Sequence, residues 1–183
     1  CDFDDRFLQP GRNLGMELVT GDVESIPVPN SFDLVLLIHS FEHVVKMDET
    51  IQSIASRIVP DGLVFVEIPG VFGLNRRKKD AIQSMGSTSS NNFLGYLQFQ
   101  HNYHFDLEHL RIVWERNGFE MIQGDEWVRA IFRKKNTPKV TSVYDSKSDI
   151  SLYLSKVERD FLSIRNLSCG AGRLISKKIC KFN

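Results

Sequence analysis

Cysteine is scarce: Cys1, Cys169 and Cys180 are the three in 183 residues, an odd number with no CxxC pair. That argues against a disulfide framework and against a cysteine zinc site. Neither sign of charge is in excess, with 23 basic against 23 acidic residues. The totals therefore point away from a nucleic-acid surface or an acidic substrate and towards a small or neutral ligand. No apolar run approaches the roughly 20 residues that span a bilayer, and nothing reads as a charged, then apolar, then small-residue leader. A soluble, cytoplasmic protein without membrane or nucleic-acid partners is expected. The text opens at Cys1 with Asp2, Asp4 and Asp5 close behind, which reads as a fragment or a processed chain. Its length suits one domain with a real core, plus a tail.

What is present alternates between strand and helix signals. Glu17 to Thr20 is a short apolar run ending in Gly21-Asp22, and Pro27, Pro29 and Asn30 mark the loop after it. Phe32 to Ile38 is almost continuously apolar, the habit of a parallel strand buried on both faces. Ile51, Ile54, Ala55, Ile58 and Val59 then recur at helical spacing until Pro60-Asp61-Gly62, and Leu63 to Ile68 is a second buried strand. Strand, helix, strand in this order predicts a right-handed βαβ unit, with the two strands adjacent and parallel. Residues 75–92 are basic, then rich in Ser, Thr and Asn, and read as a lid. Leu107, Leu110, Val113 and Trp114 mark a helix stopped by Asn117-Gly118. Phe119 to Ile122 and Trp127 to Arg133 are candidate strands, and Ile150 to Ile164 carries one amphipathic helix ahead of a basic end. The expected domains are 1–134 and a helical extension or tail over 135–183.

In an open parallel sheet, ligands collect beyond the carboxyl ends of the strands. Gly21-Asp22-Val23, His39-Ser40-Phe41-Glu42-His43 and Pro69-Gly70 meet that condition, and together supply a carboxylate, backbone amides, imidazoles and aromatic surface.

The strings Gly21-Asp22-Val23-Glu24-Ser25-Ile26-Pro27, Ser31-Phe32-Asp33-Leu34-Val35, His39-Ser40-Phe41-Glu42-His43-Val44 and Val59-Pro60-Asp61-Gly62-Leu63 resemble class I S-adenosylmethionine-dependent methyltransferases in order and spacing. The resemblance covers roughly residues 1–134. It is closest to small-molecule enzymes with a His-x-x-Glu-His motif and a later His-x-x-His-Phe, here His101 to Phe105. It implies a Rossmann-like α/β sheet, mostly parallel with a final antiparallel strand, from which the first strand, its glycine-rich loop and the helix behind are missing. Unpaired strand edges would then favour a homo-oligomer or a partner chain.

The resemblance also implies roles. Asp22 would accept from the adenine amine of S-adenosylmethionine while the Val23 amide, after Gly21, donates to a ring nitrogen. A turn aspartate bonded to its own backbone is the plainer reading. Asp2 would grip the ribose hydroxyls, and the main chain at His39 and Ser40 would meet the methionine part. His43 suits a general base, since imidazole titrates near neutrality, and His101 and His104 would line the acceptor side. These last two precede a helix whose N-terminus faces the same edge if the following strand joins antiparallel. Two rivals remain. His39-Ser40-Phe41-Glu42-His43 also matches the His-x-x-Glu-His pattern of a zinc peptidase helix, but His39 follows a strand directly, so no metal is expected. The other is a catalytically inactive, methyltransferase-like fragment that serves as a binding subunit.

Overall fold

The computed structural model describes residues 1–27, 32–73, 101–135, 137 and 147–161. Among these, α1 spans Asp5–Asn13, β1 Phe32–Ile38, α2 Met47–Arg57, β2 Ile58–Glu67, α3 Leu107–Arg116, β3 Phe119–Gly124, β4 Arg129–Lys134 and α4 Lys147–Phe161. The lid expected over 75–92 and the basic end from residue 168 lie outside the described residues. No helix among the described residues is long and apolar enough to cross a membrane.

The strands form one sheet in the order β1-β2-β4-β3. β1 and β2 are parallel, pairing Leu34 with Leu63 through to Ile38 with Glu67, as the apolar runs predict. β4 is antiparallel to both neighbours, so β1, β2 and β3 share one direction. The sheet is thus the mostly parallel α/β arrangement expected, with its reversed strand the last of those described. The strand after α3 runs with β1 and β2, and β4 carries the reversal. β2 starts earlier than the sequence indicated, because Ile58 already pairs with Phe32. Val59 to Gly62 then loop out of the ladder, with Asp61 in the left-handed region at φ 61°.

Apolar periodicity explains which faces pack. Ile51 and Ile54 of α2 and Leu110 and Trp114 of α3 are buried on the sheet with Val64, Val66, Ala130 and Phe132. Trp114 is the hub, stacked on Phe132 at 5.0 Å and edge-on to Phe119 at 5.0 Å. α3 is capped at its start by Asp106, whose side chain accepts from the His109 amide, and ends at Gly118 with φ 87°, the left-handed stop expected there. Lys134 of β4 donates to the carbonyls of Ala55 and Ile58 at 2.7 and 2.9 Å, a cation at the C-terminus of α2.

Three expectations change. α1 was not foreseen; its Asp4 cap and the Asp5–Arg12 pair hold it despite Pro10 inside it. The strand at Glu17 to Thr20 reduces to one parallel bridge between Asp2 and Thr20. β1 is not buried on both faces, since Leu34, Leu36 and Ile38 are about half exposed. Among the described residues it is an edge strand, and no layer lies over that face. The expected C-terminal helix is α4, and it reaches the sheet domain through the Tyr153 hydroxyl, which donates to the Phe72 carbonyl at 2.6 Å.

Phe132 is fully buried under Trp114, so Phe132→Ala should lower the unfolding free energy by about 3–5 kcal/mol in urea titration. Glu120→Ala on the exposed face of β3 should change it by less than about 0.5 kcal/mol.

Candidate functional site

A cleft of about 740 Å³ opens at the carboxyl end of β1. Its walls bring together Asp2, Gly21, Asp22 and Val23 on one side and His39, Ser40 and His43 on the other. Two of the three segments expected to meet do so. The third, Pro69-Gly70, acts at one remove: Gly70 pairs with Phe105, and the Val71 amide donates to the Phe105 carbonyl at 2.8 Å, which seats residues 101–105 against the site.

The Asp22 side chain is part of a turn. Its Oδ1 accepts from the Glu24 and Ser25 amides at 3.0 and 3.1 Å and from the Ser25 hydroxyl at 3.1 Å. That is the plainer reading of this aspartate, and it is present. All three bonds fall on one oxygen, however, leaving Oδ2 and the Val23 amide without a protein partner among the described residues. An acceptor and a donor stand side by side at the cleft. Gly21 has φ 123°, and a Cβ there would run into the Ser25 side chain, so the turn requires glycine. Arg57, buried at the end of α2, holds the same loop by donating to the Ile26 and Glu24 carbonyls at 3.0 and 2.9 Å. Sequence reasoning missed it; an arginine on an apolar helix face was the available signal.

Asp2 sits beside this turn because the Gly21 amide donates to its carbonyl at 2.8 Å, while its Oδ1 accepts from the Asp4 amide at 2.8 Å. The junction is fastened from outside by Asp5, which accepts from the Thr20 hydroxyl at 2.6 Å and from Arg12. Arg12 also donates to the Leu18 carbonyl.

On the opposite wall, His39 is left-handed at φ 49°, a conformation that costs a non-glycine residue about 1–2 kcal/mol. Its amide donates to the Glu67 carbonyl at 2.8 Å, which ties the end of β1 to the end of β2. Phe41 to His43 form one turn of 3-10 helix in which Phe41 and Glu42 are buried. The loop at 101–105 is stitched onto that turn: the Asn102 and Tyr103 amides share the Glu42 carbonyl, and the Asn102 side chain donates to the His43 carbonyl at 2.7 Å. As a result the His101 ring packs edge-on to His43 at 4.8 Å, with His104 5.7 Å from His101. Four of the five histidines gather around Glu42 or its neighbours. Glu42 itself carried no assigned role in the sequence, although it lies inside the His-x-x-Glu-His string.

Residues 3–124 match a family model described as a methyltransferase domain. The chain belongs to that methyltransferase family. It is an enzyme of methyl transfer, and S-adenosylmethionine is its cofactor. The fold is similar to the crystal structure of a SAM-dependent methyltransferase from Thermotoga maritima, described as a possible histamine N-methyltransferase. The similarity has a TM-score of 0.52 at 14% sequence identity, over 74% of this chain and 70% of that one. At that identity the likeness concerns the fold. No curated protein matches the chain.

The methyltransferase cleft depends on the Asp5 junction, and its response to acid follows from the sign of one shift. The Thr20 hydroxyl first, then Arg12 and Gln9, hold the Asp5 carboxyl well below the usual carboxylate range. A folded value below the unfolded one gives stability that is present above about pH 4 and lost as pH falls through the folded value. Exchange of the Gly21 amide should therefore keep its protection from pH 7 to about pH 4 and lose it in stronger acid, while Asp5→Ala should speed that exchange already at pH 7.

Proposed function

We propose that this methyltransferase acts on an oxygen or nitrogen of a small molecule, such as a sugar, a quinone precursor or another metabolite. The observation that carries the reading is the division of the cleft: an open acceptor and donor pair at Asp22 and Val23 stands across from His39 and His43, and His101 and His104 pack on in turn from His43. The cleft's size falls within the ~300–1,000 Å³ of small-molecule sites. Balanced formal charge suits a small or neutral acceptor better than a polyanion.

The fit to the cofactor is residue by residue. Asp22 Oδ2 accepts from an exocyclic amine and the Val23 amide donates to the adjacent ring nitrogen, the complement of an adenine edge. Gly21 keeps the backbone close enough for both. Asp2, with one carboxylate oxygen left after capping its own turn, takes the ribose hydroxyls. The main chain at His39 and Ser40 meets the methionine end. When bound, S-adenosylmethionine supplies a methyl group on a positively charged sulfur, ready for in-line transfer without a covalent enzyme intermediate.

The chain's own contribution is mainly positioning, which holds acceptor and methyl in near-attack geometry. His43 faces the cleft and takes the proton of an acceptor that must lose one, and His101 and His104 orient that acceptor.

Asp22→Asn separates the two uses of this side chain. The carbonyl of Asn still serves the turn, while its amide sets a donor against the adenine amine. Affinity for S-adenosylmethionine should fall by about 1–3 kcal/mol in calorimetry; an unchanged affinity removes Asp22 from the cofactor site.

For the acceptor side, His104→Asn should raise KM or lower kcat with cofactor affinity nearly intact. His43→Gln should cost about 100-fold or more in kcat for an acceptor that must be deprotonated. A lowered melting temperature with unchanged kinetics would instead make His104 a packing residue.

A further inference from the structure

Glu42 is only 2% exposed, and its Oε2 has no hydrogen-bond partner. Around its other oxygen, Oε1, stand His39 Nδ1 at 3.7 Å and the Nε2 atoms of His43 and His101, each at 3.9 Å. These separations are too long for hydrogen bonds, which close at roughly 3.2 Å. A carboxylate withdrawn from water without a bonded counterpart is unfavourable, and here its nearest polar neighbours are all groups able to donate a lone pair.

We propose that Glu42, His43 and His101 form a binding site for one divalent transition-metal ion of the zinc type. Their donor atoms all lie within 4.8 Å of one another. A tetrahedral shell with metal–nitrogen bonds of about 2.0–2.1 Å puts neighbouring donors about 3.3 Å apart. The spacing from Glu42 to either imidazole exceeds that by about half an ångström, and no pair of donors exceeds it by more than about 1.5 Å, so binding an ion requires the His43 and His101 side chains to turn towards Glu42. Two imidazoles and one carboxylate suit a borderline ion, whereas magnesium and calcium take shells of oxygen. Three protein ligands leave a fourth position for water or substrate.

The support around the ligands is that of a built site. Glu42 and His43 are carried on the turn anchored by Phe41, which is fully buried. His101 is held over them by the two amides on the Glu42 carbonyl and by the Asn102 side chain on the His43 carbonyl. The third ligand thus arrives from a segment 58 residues further along the chain than His43, and bonds along the backbone fix its approach.

The site deepens the reading of the cleft as an acceptor site, and rests on that reading for its use though not for its existence. His43 lines the cleft, so the open position would meet an acceptor oxygen or nitrogen. An imidazole nitrogen that holds an ion cannot also take a proton. In the loaded protein a coordinated hydroxyl is made acidic by the ion, and proton acceptance by His43 belongs to the ion-free state.

The test is titration of the chelator-stripped full chain with Zn2+ alone, without cofactor or acceptor, by calorimetry and by the rise in melting temperature. Co2+ then serves as a probe whose visible absorption reports four-coordinate geometry. One equivalent should bind at micromolar affinity or tighter, and His101→Ala and His43→Ala should each weaken it by about 100-fold or more, beyond the ~10–100-fold that loss of a ligand's own hydrogen-bond partner costs. Glu42→Gln should do the same, and the two histidine variants keep the test valid if it fails to fold. His109→Ala, on the far side of the Asp106 cap, should leave the affinity unchanged. Failure to saturate at one equivalent, or equal binding by the wild type and the His43 and His101 variants, would overturn the proposal. Because no S-adenosylmethionine is present, its failure is distinguishable from loss of the cofactor reading, which is measured at Asp22.

Discussion

Phe41 has no exposure, its ring lying 5.8 Å from Phe105 and 5.3 Å from Trp114, and Glu42 follows it within a single turn of 3-10 helix. Burying a phenylalanine there is favourable by a few kcal/mol, and in so tight a turn the next side chain is drawn below the surface with it. The Glu42 carbonyl then receives two amides from residues 102 and 103, which places the histidine-bearing loop. Without the Phe41 anchor there would be no fixed turn, no shared carbonyl and no reason for His43 and His101 to meet. The polar end of the cleft is in this sense a by-product of an apolar contact.

The cofactor-facing end is built by different means. Val23 leans on the core, while α1, Thr20 and Arg57 hold the rest of that loop through charged and backbone hydrogen bonds near the surface. One wall is thus set by packing and the other by polar tethers, so pH and salt act mainly on the second.

The parts of the fold that were legible in the sequence are those where a local pattern and the tertiary environment agree. Phe32 to Ile38 and Leu63 to Ile68 read as adjacent parallel strands because β-rich apolar runs flank an amphipathic helix, and they pair so as far as Glu67. Asn117-Gly118 reads as a stop because only the left-handed region fits there. α1 was hidden because Pro10-Gly11 argues locally against a helix, while the tethers of Asp5, to Arg12 and to Thr20, join residues that helical spacing does not pair. The exposed face of β1 was hidden because an apolar run states what a strand can bury, not whether anything covers it. Asp22, Val23, His39 and His43 were read from strand ends and do share one cleft. The convergence of His101 on Glu42 was not legible as a cluster, since it depends on two backbone bonds between segments distant in sequence.

The position of β4 has a consequence in the order of assembly. It is the last of the described strands in the chain, yet it lies inside, between β2 and β3. Every residue that lines the cleft, and His101 and His104 with them, leaves the ribosome before Arg129, and until then β1 is the one described strand that β2 can join. Pairing β2 with β4 closes a loop of more than sixty residues, the kind of distant contact that slows folding and prolongs exposure of an open strand edge. A nascent chain stopped short of Arg129 would carry all the chemical groups of the site on a sheet that cannot yet close.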